Sequence, residues 1–344
     1  MKSLLTTLLY FFSFYLFAQP TTIVEEIINP SALYKDADTI YFSSWATGDI
    51  NYKVLTENDS TFSNITGGFN FPFGLHKRNN FLYVGHQLGI TRIDLSKDPI
   101  EIENIISDHT FNVSGIEIVN NMIYYSRWRS VGQVWSLNLD DNSTELISFG
   151  FDSPSGIIYW ENFLFVADVG DDIIYKIDLS EDNIENEIFL EVPNPNHLFL
   201  EGNTLYFGQF RDGIVRKIDL TDPNKEVTFL YDNSTKLTGI AVDGNDLYFG
   251  DFDNSEIKLL SSEIIGPVVP EEKEQINVFP NPTSEFIRSE NFNIDSKYII
   301  IDVKGIIIQE GELREEKIEV DLLPSGAYFL FLPKENKCAR FIKI

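Results

Sequence analysis

Apolar and polar positions alternate in short runs along this chain, and the runs return at a fixed interval. Apolar triplets stand at Ile40-Tyr41-Phe42, Leu82-Tyr83-Val84, Ile123-Tyr124-Tyr125, Leu164-Phe165-Val166, Leu205-Tyr206-Phe207 and Leu247-Tyr248-Phe249, with consecutive starts 42, 41, 41, 41 and 42 residues apart. A small residue, a variable polar residue, a short loop and a second apolar stretch follow each triplet. Three of those stretches end in Ile-Asp-Leu, at 93–95, 177–179 and 218–220. Alternating aromatic and β-branched residues favour strands packed between sheets. An all-strand unit repeated six times at this period predicts a six-bladed β-propeller.

Within each unit an earlier apolar segment begins at Ala32, Gly74, Gly115, Gly156, His197 or Gly239. Glycine lets backbones approach closely, as the crowded axis of a ring requires, so these segments are the expected inner strands. A more polar fourth strand follows in units one to five, for example 184–192 and 226–231. Unit six runs out near Leu260, and the apolar stretch Thr22 to Ile28 is the expected replacement. That pairing would close the ring and remove an open sheet edge.

Beyond this repeat the composition shifts. Residues 263–275 contain Pro267 and Pro270 and then a charged run, which reads as a stiff linker between a propeller at 21–262 and a separate unit at 276–344. The last unit holds short strand patterns at 298–303, 306–309, 317–320, 327–332 and 338–343, the content of a small Ig-like β-sandwich.

Composition narrows the setting. Hydrophobic residues make up 43% and aromatics 14% of 344 residues, enough for packed cores. Asp and Glu outnumber Lys and Arg by 53 to 26, and the net charge of -27 argues against nucleic-acid and anionic membrane partners. Lys2, the apolar run Leu4 to Ala18 and the Leu16-Phe17-Ala18 end predict a signal peptide at 1–18, too short to be a membrane span. Cys338 is the single cysteine, so no intrachain disulfide is expected and no lipid attachment at the processed start.

Candidate chemistry gathers at one face of the ring. The second strands should end at Ser44, His86, Arg127, Asp168, Gln209 and Asp251, with Trp45, Trp128, Phe210 and Arg211 beside them. Trp45, His86, Arg127, Trp128, Asp168, Gln209, Arg211 and Asp251 mix aromatic, cationic and carboxylate groups, as binding surfaces do, and an extracellular glycan, peptide or protein is the expected ligand. Asp168 and Asp251 are candidate ligands for a calcium ion. No catalytic residues are assigned. The chain has no Gly-x-Ser-x-Gly elbow, phosphate-binding glycine loop, His-Glu-x-x-His or Cys-x-x-Cys, and Asp251-x-Asp253-x-Ser255 has Glu256 where a calcium loop needs glycine.

Two resemblances follow from particular residues. Gly239-Ile-Ala-Val-Asp243 with Leu247-Tyr-Phe-Gly-Asp251, and Gly156 with Leu164-Phe-Val-Ala-Asp168, resemble NHL and YWTD repeats, whose propellers include both binding modules and lactonases or esterases. Gluconolactonase-type members hold a divalent cation at the axis, and Asp168, Asp251 and Asn196 imitate part of that set. A cation-dependent lactonase or esterase is therefore the alternative to a binding module. The second resemblance covers the last unit. Val278-Phe279-Pro280-Asn281-Pro282, Asp302-Val303-Lys304-Gly305, Ser325-Gly326-Ala327-Tyr328 and the closing Arg340 to Ile344 resemble the type A sorting domain of the type IX secretion system, with Pro280, Asn281, Pro282, Gly305, Gly326, Tyr328 and Lys343 as its motif residues. It implies a Bacteroidetes-type bacterium, passage through the periplasm, the type IX machinery as partner, and a final place outside the cell or on its surface.

Overall fold

The computed structural model describes residues 20–261 and 274–344, apart from 58, 108–111, 129–130, 182–183, 233–234, 304 and 336. The signal-peptide expectation at 1–18 and most of the linker expectation lie outside the described residues.

Six four-stranded antiparallel sheets follow one another around a ring. Blade 1 comprises Pro30–Asp36, Thr39–Ser44, Ile50–Val54 and Ser63–Thr66, and blade 2 comprises Gly74–Arg78, Phe81–His86, Gly89–Asp94 and Glu101–Ser107. Blade 3 holds Val113–Val119, Met122–Arg127, Gly132–Asn138 and Thr144–Phe151, and blade 4 holds Pro154–Trp160, Phe163–Asp168, Ile173–Asp178 and Glu187–Glu191. Blade 5 holds Pro195–Glu201, Thr204–Gln209, Ile214–Asp219 and Val227–Asp232. Blade 6 has Leu237–Asp243, Asp246–Asp251 and Glu256–Ser261, and its fourth strand is Thr21–Val24, pairing Thr21 with Leu259 and Thr22 with Lys258. That strand stops short of the expected Ile28 because Glu26 takes a φ of 63°, which breaks an extended run.

The repeat has local causes. In each blade the inner strand turns into the second through two residues, and the first of the two has positive φ: Ala37, Asn79, Asn120, Glu161, Gly202 and Gly244. The Asp that ends the third strand then starts the next turn. Asp94 accepts the N–H (2.9 Å) and hydroxyl (2.6 Å) of Ser96, and Asp178 and Asp219 do the same with Ser180 and Thr221. The recurrent Ile-Asp-Leu-Ser/Thr is thus an Asx-type turn in three blades.

Blades are joined by apolar layers and by close backbone contact. One cluster unites Val24, Ile40, Phe42, Tyr248 and Ile257 across the ring closure, and comparable clusters span the other junctions. A Cβ at Gly156 would sit 2.7 Å from the Asn196 carbonyl oxygen of the next inner strand, so only glycine permits that spacing. At the same point in blade 5, the His197 imidazole Nδ1 accepts the Ile240 N–H of blade 6 (3.3 Å). Hydroxyls add a buried belt: Ser31 donates to Pro72 O (2.5 Å), Ser114 to Pro154 O (2.7 Å) and Thr238 to Pro30 O (2.8 Å).

The last unit is a two-layer β structure. A five-stranded sheet, in the order Glu274–Gln275, Lys337–Lys343, Gly326–Leu332, Lys297–Asp302 and Ile307–Glu312, faces the pair Phe286–Arg288 and Lys317–Glu319. Glu274 and Gln275 therefore belong to the sheet rather than to the linker, paired in parallel with Lys337 and Cys338. Alternation along the strands divides the apolar residues. Ile300, Leu330, Leu332, Ala339 and Phe341 face the unit's own core, whereas Ile299, Ile301, Phe331 and Cys338 pack on Ile214 and Phe229 of blade 5.

Candidate functional site

The face of the ring reached by the ends of the second strands is built on a shared frame. In blades 1, 3, 4, 5 and 6 the last residue of the second strand pairs with the first of the inner strand: Ser44 with Pro30, Arg127 with Val113, Asp168 with Pro154, Gln209 with Pro195 and Asp251 with Leu237. The following residue donates its N–H to a carbonyl in the incoming connection. Trp45 bonds Asn29 (2.9 Å), Trp128 bonds Asn112 (3.2 Å), Phe210 bonds Asn194 (2.9 Å) and Phe252 bonds Lys236 (3.0 Å). Backbone bonding thus fixes where the mouth side chains start.

Five of the six aligned residues, Ser44, His86, Asp168, Gln209 and Asp251, are buried, which corrects the expectation that they line a binding surface, and Arg127 is half-buried. Asp168 and Asp251 have no exposed surface, Gln209 keeps 1% and His86 7%. Asp168 accepts N–H bonds from Asp152 (2.9 Å), Ser153 (2.8 Å), Gly170 (3.1 Å) and Asp171 (3.3 Å), tying the connection from blade 3 to its own loop. Burial raises its carboxyl pKa above the ordinary value, against the downward pull of those N–H donors. Asp251 takes the Thr235 hydroxyl (2.5 Å), the Asn254 amide (2.9 Å) and the Lys258 ammonium (2.8 Å). Burial works against the charge on Lys258, yet the Asp251 and Glu256 carboxylates together hold its pKa above the usual lysine value. The Gln209 amide donates to Pro193 O (2.9 Å), and the Ser44 hydroxyl donates to Ile28 O.

His86 is equally committed. Its Nδ1 accepts the Leu88 N–H (3.3 Å), and Nε2 lies 2.9 Å from the Thr91 hydroxyl, which donates to Asn104 (2.8 Å). An Nδ1 acceptor requires the neutral Nε2–H tautomer. Burial agrees, pushing the imidazole pKa down to about 4. Arg127 lies with its guanidinium over the Trp135 ring, 5.4 Å from the centroid.

These donors do not fit a calcium ion. The carboxylates of Asp168 and Asp251 are occupied by protein N–H, O–H and ammonium groups, and the side-chain Oδ1 of Asn196 accepts the Ser155 hydroxyl (2.5 Å). Among the described residues no group of three or more His, Cys, Asp or Glu is placed to hold a metal.

What the face does present is aromatic. Trp45 stacks on Phe71 at 4.5 Å and 28°, lies 6.4 Å from Phe73 and 6.2 Å from Phe252, and Phe252 lies 6.1 Å from Phe210. The strip runs over blades 5, 6 and 1 into the connection to blade 2. Phe71 is 40% exposed at its end, and Trp128 is 47% exposed on blade 3. Arg211 is exposed beside Phe210. The Trp45 indole N–H is buried without a partner. Phe71 has φ of 49°, the position where Asn29, Asn112 and Asn194 have 50°, 45° and 47°; Pro72 follows it as Pro30, Val113 and Pro195 follow the others. Asn tolerates this conformation and a bulky aromatic does not, so Phe71 holds strain of about 1 to 3 kcal/mol.

Phe71, Phe73 and Phe252 were not among the sequence-derived candidates. The signal for Phe71 and Phe73 is the run Phe69-Asn70-Phe71-Pro72-Phe73, in which an aromatic stands where three other units place Asn before the inner strand, and Phe252 follows Asp251 as Trp45 follows Ser44.

The motif residues of the last unit hold its closing strand. The Asn281 amide donates to Arg340 O (3.0 Å) and accepts the Ile342 N–H (2.9 Å), and Thr283 N–H bonds Ile342 O (2.8 Å). The Tyr328 hydroxyl donates to Pro324 O (2.8 Å), and its ring stacks on Phe341 at 5.6 Å. Lys343 is almost fully buried, and Gly305 turns the chain at φ 85° between two strands.

Comparison with known proteins places both parts. Residues 277–344 match the secretion system C-terminal sorting domain family. The ring is similar to the nidogen/laminin complex structure (TM-score 0.56, 15% identity, 66% of this chain and 89% of that one). It is also similar to regucalcin, a calcium-binding protein of Agrobacterium tumefaciens (TM-score 0.59, 9% identity, 71% and 93% covered). A third similar structure is a luciferin-regenerating enzyme (TM-score 0.55, 14% identity, 70% and 94% covered). No curated protein sequence matches the chain. The fold is therefore a six-bladed β-propeller joined to a sorting domain. The sorting domain directs export by the type IX system to the cell surface or the extracellular space.

Proposed function

We propose that this exported propeller is a binding module that recognises an extracellular ligand through the aromatic strip at its mouth. The observation that carries this reading is the strained, exposed Phe71 stacked on Trp45, at a position where the three other units with positive φ use asparagine. Strain kept at a surface points to a role that stability does not explain. The buried ring of Ser44, His86, Asp168, Gln209 and Asp251 is then the frame that positions the strip, and Trp128, Arg127 and Arg211 flank it. Flat aromatic surfaces with nearby cations suit the faces of sugar rings or the side chains of an extended peptide.

Glycan and peptide arrays probed with wild type, Phe71→Ala and Trp128→Ala test the proposal. Binding of one ligand class that drops at least tenfold in Phe71→Ala, with unchanged thermal stability, supports it. Binding that both variants retain in full would place the site elsewhere.

A further inference from the structure

We propose that the outer edge of blade 5 is a docking site for the sorting domain, able to hold that domain after the connecting segment has been cut. Three kinds of contact meet there. The Phe229 N–H of the outer strand donates to Gly305 O (3.0 Å), and Thr228 forms an antiparallel bridge with Ile306, so the two units pair edge to edge. The Phe229 ring stacks on Phe331 at 5.1 Å and 24°, inside one buried cluster with Ile214, Ile299, Ile301 and Cys338. Two ion pairs cross in opposite senses, Arg216 with Glu310 (3.0 Å) and Lys297 with Asp212 (3.6 Å).

Blade 5 is adapted to this contact and its sisters are not. Phe229 lies opposite Arg216 just past the bulge that the third and fourth strands share in blades 1 to 5. The matching fourth-strand residues of blades 3 and 4, Leu146 and Ile188, are 41% and 57% exposed, whereas Phe229 is 1% exposed. In blades 1 to 4 the third-strand residues that match Arg216 are Asn51, Thr91, Trp135 and Tyr175, none of them a cation, and in blade 6 the match is Lys258, which is engaged by Asp251 and Glu256. Arg216 is itself only 4% exposed. Separation would put Phe229 and Ile214 in water and take Glu310 away from the Arg216 guanidinium, so apolar burial and charge pairing both favour the docked arrangement. Reciprocal charges also fix the register of the edge pairing, as charge patterns do at specific interfaces.

The test uses the full chain with a protease recognition sequence inserted after Val268. After cutting, size-exclusion chromatography at low ionic strength should show the 269–344 fragment co-eluting with the propeller. Phe229→Asp should release the fragment. Arg216→Glu should release it as well, and Arg216→Glu combined with Glu310→Arg should restore co-elution. Separation of the wild-type halves on cutting overturns the proposal, and so does undiminished retention by both single variants. Failure of the charge exchange to restore co-elution, in a protein as thermally stable before cutting as wild type, overturns the assigned pairing.

Discussion

At the residue scale the mouth combines side chains with opposite purposes. Asp168 is a structural clamp: Asp168→Ala would leave four N–H groups of the two connections without their acceptor, and urea unfolding should show a loss of about 1 to 3 kcal/mol. Phe71 should behave in the opposite way. Phe71→Asn places a residue that tolerates φ of 49° and should raise stability by about 1 kcal/mol while weakening ligand capture. His86 adds a pH term with a definite sign. Its folded pKa of about 4 lies below the ordinary 6.5, so the unfolded chain binds a proton that the native site excludes. The contribution of neutral His86 is complete above pH 6.5 and is lost as pH falls toward 4, by about 2 kcal/mol between pH 7 and pH 5. Denaturant midpoints of wild type and His86→Gln at both pH values measure it, and a shallower pH dependence in the variant is the expected result. The positions of Asp168 and His86 could be read from the repeat, because each ends a second strand. Their burial could not, because an aspartate facing solvent and one accepting N–H bonds from a connection sixteen residues upstream look alike in one dimension.

At the scale of the strand and blade the chain is far more explicit. A 41- to 42-residue period, glycine at the inner strand and Asp before Ser or Thr at the third-strand turn each have a local physical cause, and together they specify blade after blade. Less legible are features that depend on neighbours. The strand patterns of the last unit mark where its sheet lies, but not that Ile299, Ile301 and Phe331 turn away from its core toward Phe229, because alternation reads the same whichever face is covered. The clasp of blade 6 exposes the same limit. Thr21–Val24 is short and partly polar, yet Val24 is fully buried against Ile40, Phe42 and Ile257. Val24→Asp would put an unpaired carboxylate in that layer and unseat the strand, leaving the Glu256–Ser261 edge open. A loss of at least about 3 kcal/mol and a protein prone to self-association are expected, checked by urea unfolding and light scattering.

At the scale of the whole molecule, two units of unlike purpose share one chain. The ring offers six copies of a frame on which the mouth can vary without loss of the fold, since backbone bonds such as Trp45 to Asn29 and Phe210 to Asn194 hold the loop starts whatever side chain follows. The sorting domain works differently, because its motif residues are spent on its own architecture: Asn281 and Thr283 bind the closing strand, and Tyr328 is packed on Phe341. Export should therefore depend on the folded shape of that domain rather than on a loose tail signal. Asn281→Ala removes both bonds to the strand around Arg340 and Ile342, and should destabilise the domain without touching the propeller. In a host with an active type IX system, cell fractionation should find the Asn281→Ala protein retained in the periplasm with its propeller folded, while Trp128→Ala is exported like wild type. Equal export of the two would mean that the machinery reads an extended segment, and the fold of the sorting domain would then need another reason to be built so closely around Asn281.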